Sequence, residues 1–262
     1  MNRKARQPVT QFSQAGTDQR SPVIVLTCEH GGNHIPAAYR HLFSGADDVL
    51  ESHRGWDPGA LRVAQAMSEM LGATLFSSTT SRLLVELNRS LGHRSLFSEF
   101  TAVLPTAEKQ LIIDKHWQTW RDDVTAHIDN HFNSGRRVIH LSIHSFTPVW
   151  EGSVRKTNIG LLYDPRRPDE RSLCETWKTD LRQERPDFTI HSNQPYRGIG
   201  DGFTTWLRRR FDATGRSGGS YIGVEVEINH ALIHPAATSQ IQSIAAMLCQ
   251  RLSPCSAFSF ND

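Results

Sequence analysis

Hydrophobic positions in this chain fall into two alternating patterns. Short runs of consecutive apolar residues, rich in β-branched side chains, predict strands buried on both faces; longer stretches with apolar residues every three or four positions predict amphipathic helices. Val23-Ile24-Val25-Leu26 is the first run, and it leads straight into Thr27-Cys28-Glu29-His30-Gly31-Gly32-Asn33-His34-Ile35-Pro36. Short helical segments follow over 37–43 and 48–52. Asp57-Pro58 predicts a helix start, with a carboxylate at the N-cap and proline in the first helical position. That helix, over 59–71, carries Leu61, Ala64, Met67 and Leu71 at helical spacing and stops at Gly72. Strands are predicted over 73–76 and 83–87, and a loop over 91–105, where no period is visible. The longest helix runs over 109–132, with Thr106 ahead of it; Leu111, Ile112, Trp117, Trp120, Val124 and Ile128 form its stripe and Gly135 ends it.

The second half repeats the alternation. Strands are predicted over 138–144, 158–163, 188–190 and 221–228, and helices over 169–182, 202–211 and 237–252. Strands interleaved with helices predict an α/β fold with a mixed, mostly parallel sheet flanked by helices. No repeat, low-complexity tract or linker divides the chain, so a single domain is expected over 22–262, preceded by a loosely held tail over 1–21.

Bulk properties narrow the function classes. With 262 residues, 38% hydrophobic and 21% charged, the chain has the composition of an ordinary globular protein with a sizeable core. A net charge of +2, from 29 basic and 27 acidic residues, gives no broad field for nucleic acid. Arg208-Arg209-Arg210 has no interleaved aromatics and is expected on a solvated helix face, while Trp117 and Trp120 belong to the core. Cys28, Cys174, Cys249 and Cys255 form no Cys-x-x-Cys pair, which predicts reduced thiols and a cytoplasmic protein. No apolar run reaches the ~20 residues that span a bilayer, and the basic start lacks the apolar segment of a secretory signal. Ser217-Gly218-Gly219-Ser220 is flexible punctuation; no Gly-x-Ser-x-Gly elbow supports a serine nucleophile.

The chemistry gathers at strand ends: Glu29-His30, Glu86-Leu87-Asn88-Arg89, His144-Ser145 and Glu225-Val226-Glu227. Parallel strands bring such ends to one edge, where helices leave a crevice open to ligands. Gly31 and Gly32 let the backbone turn sharply or approach a ligand closely. A zinc site needs about three protein ligands and an open position, and His30 and His144, each just after an apolar strand, are the best-placed imidazoles. For the third ligand three residues stand open. Asp57 serves as cap, ligand or both; Glu29 points opposite to His30 if the strand continues; and His34 lies four residues on, with a Gly-Gly between that disfavours helix.

At the level of motifs the chain resembles the N-formylglutamate amidohydrolase family. The resemblance rests on Glu29-His30-Gly31-Gly32-Asn33-His34-Ile35-Pro36, Gly55-Trp56-Asp57-Pro58-Gly59-Ala60, Ser81-Arg82-Leu83-Leu84-Val85-Glu86-Leu87-Asn88-Arg89-Ser90 and Glu227-Ile228-Asn229-His230-Ala231-Leu232-Ile233, in order, and covers 23–252. It implies a phosphorylase/hydrolase-like fold similar to the zinc carboxypeptidases and the aspartoacylase group. In that wider relationship Leu141-Ser142-Ile143-His144-Ser145 is similar to the strand bearing the later zinc histidine, and Glu86-Leu87-Asn88-Arg89 to the segment that holds a substrate carboxylate. A carboxypeptidase-type His-x-x-Glu would put a glutamate where Asn33 stands, and the departure favours Asp57, which falls where the family carries an aspartate.

The implied reaction is hydrolysis of the amide of an N-acyl amino acid, with N-formyl-L-glutamate, giving glutamate and formate, as the substrate the family suggests. Zinc suits a His/carboxylate set, though Mn, Co and Fe take similar ligands; the ion would activate water. Glu227, at a strand's carboxyl end, is the candidate general base, with Glu225 on the same face in reserve. Arginine offers a planar fork for a substrate carboxylate, which points to Arg89 and Arg82, with Asn88, Asn33 and Ser145 at neighbouring ends and Arg197 in a turn-rich loop. Arg82 has an alternative partner in Glu86. Two other outcomes stay open: a non-catalytic carboxylate- or peptide-binding module, and a zinc carboxypeptidase-like peptidase.

Overall fold

In a computed structural model of the chain, residues 21–213, 219–234 and 237–252 are described; all but Ser21 of the expected tail, Ser217-Gly218 and Cys255 lie outside them. The strands are β1 (Val23–Cys28), β2 (Thr74–Ser77), β3 (Arg137–Phe146), β4 (Val149–Trp150), β5 (Ser153–Val154), β6 (Ile159–Leu162), β7 (Ile190–Ser192) and β8 (Ser220–Asn229). Six of them form one sheet in the order β2-β1-β3-β8-β6-β7. Neighbours run parallel except β6, which lies antiparallel to β8. The sheet is therefore mixed and mostly parallel, as the alternation predicts. β4 and β5 pair as a small antiparallel hairpin that the pattern did not reveal.

Helices cover both faces. They are α1 (Asp47–Glu51), α2 (Ala60–Leu71), α3 (Thr106–Ile112), α4 (Thr119–Asn133), α5 (Pro168–Glu184), α6 (Phe203–Ala213) and α7 (Thr238–Cys249), with a 3₁₀ turn over Ala37–Phe43. On one face, α2, α5 and α7 pack on Ile24, Leu26, Leu141, Ile143, Val224 and Val226. On the other, α4 and α6 pack on Val23, Val25, Val138 and Tyr221. Because strand side chains alternate, this second face also carries Thr27, His140, Ser142, His144, Glu225 and Glu227. Its apolar character gives way to polar groups as the strands approach their carboxyl ends.

Several elements depart from the pattern. The apolar run over 83–87 is a series of turns, not a strand. Leu83, Leu84, Val85 and Leu87 are buried in the second core, but their backbone finds no neighbouring strand; Leu84 N donates to Ser81 O and Glu86 N to Leu96 O. Arg82 and Arg89 therefore flank a coil. The long helix contains a π-helical segment over Ile113–Gln118 between α3 and α4, which shifts the helical phase. Leu111, expected in the stripe, is 61% exposed, while Ile112 is fully buried. Arg208 is not solvated but buried: Nε donates to Glu170 Oε1 at 2.9 Å, Nη2 to Gly223 O at 2.8 Å and Nη1 to Gly198 O at 2.5 Å. It ties α6 and the loop carrying Arg197 to the sheet, and only Arg209 and Arg210 face solvent. Cys28 and Cys174 are buried free thiols, and Cys249 is buried. Among the described residues no helix is long and apolar enough to cross a membrane.

Candidate metal centre and cleft

The carboxyl ends of β1, β3 and β8 open into a cleft of about 730 Å³ lined by His30, Asp57, His144, Glu225 and Glu227 together with arginines 54, 82, 89 and 197. His30 follows β1 directly. Gly31 N then donates to Ser78 O at 2.8 Å and His34 N to Thr79 O at 2.9 Å, pinning the chain alongside the end of β2. A Cβ on Gly32 would lie 2.8 Å from Thr79 O, so the glycines serve a close approach of backbone to backbone. This course carries Asn33 and His34 away from the cleft. Asn33 is half-buried, His34 is exposed, and neither lines it.

Asp57 does not cap α2. The helix starts at Ala60, its N-cap is Gly59 with φ +84°, and no side chain bonds its first amides. Asp57 N is instead held by His30 O at 2.9 Å, and the carboxylate turns into the cleft. Oδ1 accepts from Arg82 Nη2 at 2.5 Å, and Oδ2 accepts from Ser145 N at 3.3 Å. Burial disfavours the Asp57 anion, but the charges of Arg82 and His30 and the bond to His144 outweigh it and hold the carboxyl well below its usual range.

Three ligand-type atoms meet here. His144 Nδ1 lies 3.0 Å from Asp57 Oδ2, His30 Nδ1 lies 3.2 Å from His144 Nδ1, and His30 Nδ1 lies 3.4 Å from Asp57 Oδ2. The two rings, 114 positions apart in sequence, have centroids 5.0 Å apart. Bonds of about 2.0–2.1 Å to a tetrahedral ion set its ligands about 3.3–3.4 Å apart, so these spacings fit a small divalent cation. The donor set fits as well, being two imidazole nitrogens and a carboxylate oxygen. Each ring's other nitrogen is engaged: His30 Nε2 bonds Glu86 Oε1, and His144 Nε2 bonds Ser142 Oγ at 2.8 Å with Glu29 Oε2 3.4 Å away. Such partners hold the hydrogen on Nε2 and leave the Nδ1 lone pairs facing the shared point. Burial disfavours a charged His144, yet the bond to Asp57 and the charges of Glu29, Asp57 and Glu227 raise it to about 10, so the groups around the ring favour positive charge at the shared point, whether a proton or a cation supplies it.

β3 and β8 are in register at His144↔Glu227 and Ser142↔Glu225, which puts both glutamates on the cleft side of the sheet. Glu227 is 6% exposed and its Oε2 has no hydrogen-bond partner. Burial, reinforced by Asp57 and Glu225, pushes its carboxyl up to about 8 against the pull of His144 and Arg82. Glu225 is also raised, chiefly by burial.

The candidate substrate residues divide. Arg89 Nη1 donates to Asn88 O at 3.0 Å and Asp201 O at 2.6 Å, fixing its fork in the cleft wall. Arg121 and Trp117 hold the carbonyl of Arg89 from behind. Asn88 Oδ1 caps α6 by accepting from Phe203 N at 2.7 Å. Arg82 is committed to Asp57, with Glu86 3.8 Å from its Nε. Ser145 Oγ donates to Pro58 O at 3.1 Å, so this residue braces the Asp57 loop. Arg197 is exposed at the mouth. Glu86 and His53 stand closer to the shared point than sequence reasoning placed them. Glu86 stands in the polar cluster 86–89, but a strand there would not have aimed it at His30. His53 has its Nδ1 3.9 Å from Asp57 Oδ1 and its Nε2 unpartnered, and burial lowers it to about 4.

The family model described as N-formylglutamate amidohydrolase matches residues 21–234. No curated protein sequence matches the chain. Among solved structures, a gene product of Agrobacterium tumefaciens has a TM-score of 0.73 at 32% identity, covering 89% of this chain and 90% of that one. An N-formylglutamate amidohydrolase from Ralstonia eutropha has a TM-score of 0.61 at 18% identity, covering 88% and 93%, a likeness of fold. A metallo-carboxypeptidase from Burkholderia cenocepacia, at a TM-score of 0.39 and 13% identity over 89% of this chain and 57% of that one, is too distant to carry weight.

Proposed function

Since the chain belongs to the N-formylglutamate amidohydrolase family, we propose that it hydrolyses the amide of an N-acyl amino acid, N-formyl-L-glutamate first among them, with a divalent metal ion, zinc by preference, held by His30, His144 and Asp57. The observation that carries the metal reading is the mutual approach of three ligand atoms within 3.4 Å, each backed by a partner that orients it. When bound, such an ion supplies hydroxide near neutral pH and polarises the scissile carbonyl.

The chain's own groups supply the rest. Glu227 takes a proton from the attacking water on its unpartnered Oε2 and delivers it to the departing amine nitrogen. Burial raises this carboxyl above its ordinary range and so strengthens it as a proton acceptor, while the positive charge of an ion at His30, His144 and Asp57 would favour its ionised form before it takes the proton. Glu225, two residues back on the same face, adds like charge that raises the Glu227 carboxyl further. Arg89, its fork anchored by Asn88 O and Asp201 O, and Arg197 at the mouth bind the substrate carboxylate bidentately. Arg82 and Ser145 orient Asp57.

A hydrolysis screen of N-formyl, N-acetyl and N-succinyl amino acids, with metal returned to the chelated protein, tests this. Metal-dependent release of an acyl group supports the reading, with N-formyl-L-glutamate as the best substrate. No turnover with any of them in a metal-loaded protein overturns it.

A further inference from the structure

Strands β1, β3 and β8 bury a line of polar side chains that reaches the cleft only at one end. Tyr221 Oη lies 2.7 Å from His140 Nδ1, and His140 Nε2 lies 2.9 Å from Thr27 Oγ1. Thr27 Oγ1 donates to Glu29 Oε1 at 2.8 Å, and Ser142 Oγ donates to Glu29 Oε2 at 2.8 Å. Ser142 Oγ also lies 2.8 Å from His144 Nε2. None of the six residues is more than 4% exposed.

The proton positions along this line follow from counting. A carboxylate only accepts, so the single hydroxyl protons of Thr27 and Ser142 both point at Glu29. Each hydroxyl oxygen is then an acceptor for the ring nitrogen beside it, which places a hydrogen on His140 Nε2 and on His144 Nε2. His140 Nδ1, left bare, accepts from the Tyr221 hydroxyl. Every bond from Tyr221 to His144 has one permitted direction, and at its end the hydrogen held on His144 Nε2 leaves Nδ1 as the atom turned to the point shared with His30 and Asp57. Packing alone does not call for this, because apolar residues of the same shape serve a buried sheet face at least as well.

The geometry points to Glu29 as a positioning residue that sets the tautomer and orientation of His144 through Ser142, held in its pose by Thr27 and His140. This rests on the metal-site reading above and extends it to residues that touch neither ion nor substrate. It is tested by zinc affinity, measured in competition with a chromophoric chelator, in three variants. Thr27→Val keeps the shape and deletes the hydroxyl, Thr27→Ser keeps the hydroxyl, and Glu29→Gln turns one acceptor into a donor. Thr27→Val and Glu29→Gln are expected to bind zinc about 10–100-fold more weakly, and Thr27→Ser within about threefold of the parent. A folded Thr27→Val that binds zinc within about twofold of the parent overturns the proposal, since a structural role would leave affinity unmoved. Long-range ¹H–¹⁵N spectra of the metal-free parent decide the matter independently of any variant's folding. A hydrogen on His140 Nε2 supports the bond order, and one on Nδ1 refutes it. A parent that binds no zinc sinks the metal reading, and the His140 proton still reports on the hydrogen-bonded line by itself.

Discussion

Replacing Glu227 by glutamine should abolish turnover and, in the metal-free protein, raise stability by an amount that grows with pH. Glu227 is buried with one oxygen unpartnered, and its carboxyl is raised from 4.5 to about 8. Between those values the folded state keeps a proton that the unfolded chain has released. Ionisation therefore costs the folded state increasingly as pH climbs, and the loss is complete above the folded value. At about 1.36 kcal/mol per pH unit, the glutamine variant should gain about 1 kcal/mol near pH 5 and about 4 kcal/mol near pH 8. Urea denaturation of both proteins in chelator, at about pH 5, 6.5 and 8, measures the difference. A gain that stays constant across the three values, or a variant less stable than the parent at the highest, refutes the placement of a desolvated carboxylate at this position.

Other perturbations separate the fold from the site. Ile112→Ala should cost about 2–5 kcal/mol and Leu111→Ala within about 0.5 kcal/mol by chemical denaturation; equal costs would show that the π-helical segment does not reset the helix. Gly59→Ala should destabilise by more than about 2 kcal/mol in a denaturant titration, since its Cβ would sit 2.1 Å from Ile233 O at φ +84°. Arg89→Lys should raise KM about tenfold with little change in kcat, through loss of a two-pronged carboxylate contact; a fall in kcat at unchanged KM would assign Arg89 a different role.

Much of this architecture was legible because burial and periodicity agree. β1 opens as a run of buried apolar residues, and β3 and β8 keep one face apolar along their length, each ending in polar groups, so the strands and the convergence of His30, His144 and Glu227 at their carboxyl ends could be anticipated from pattern. What misled was context. The run over 83–87 is as apolar as a strand, but Leu83, Leu84 and Leu87 are buried under α4 with their backbone satisfied by turns. Periodicity reports burial, not hydrogen-bond partners. Asp57 before Pro58 has the local chemistry of a helix cap, yet Arg82, 25 residues away, draws the carboxylate into the cleft. Arg208 sits in a run of three arginines, and nothing local marks it as the partner of buried Glu170. Glu29, left open as a third ligand, follows the last residue of β1 and bonds behind His144. Its task, accepting from Thr27 and Ser142 behind His144, depends on strand register, which appears only when β1 and β3 are paired.

The central claim is that His30, His144 and Asp57 hold one divalent ion. Anomalous diffraction from a crystal of the zinc-loaded protein, recorded at the zinc edge, tests it most directly. A single peak about 2.0–2.2 Å from His30 Nδ1, His144 Nδ1 and Asp57 Oδ2 is the predicted result. A loaded crystal with no peak between those three atoms, or with its zinc bound elsewhere, contradicts the account.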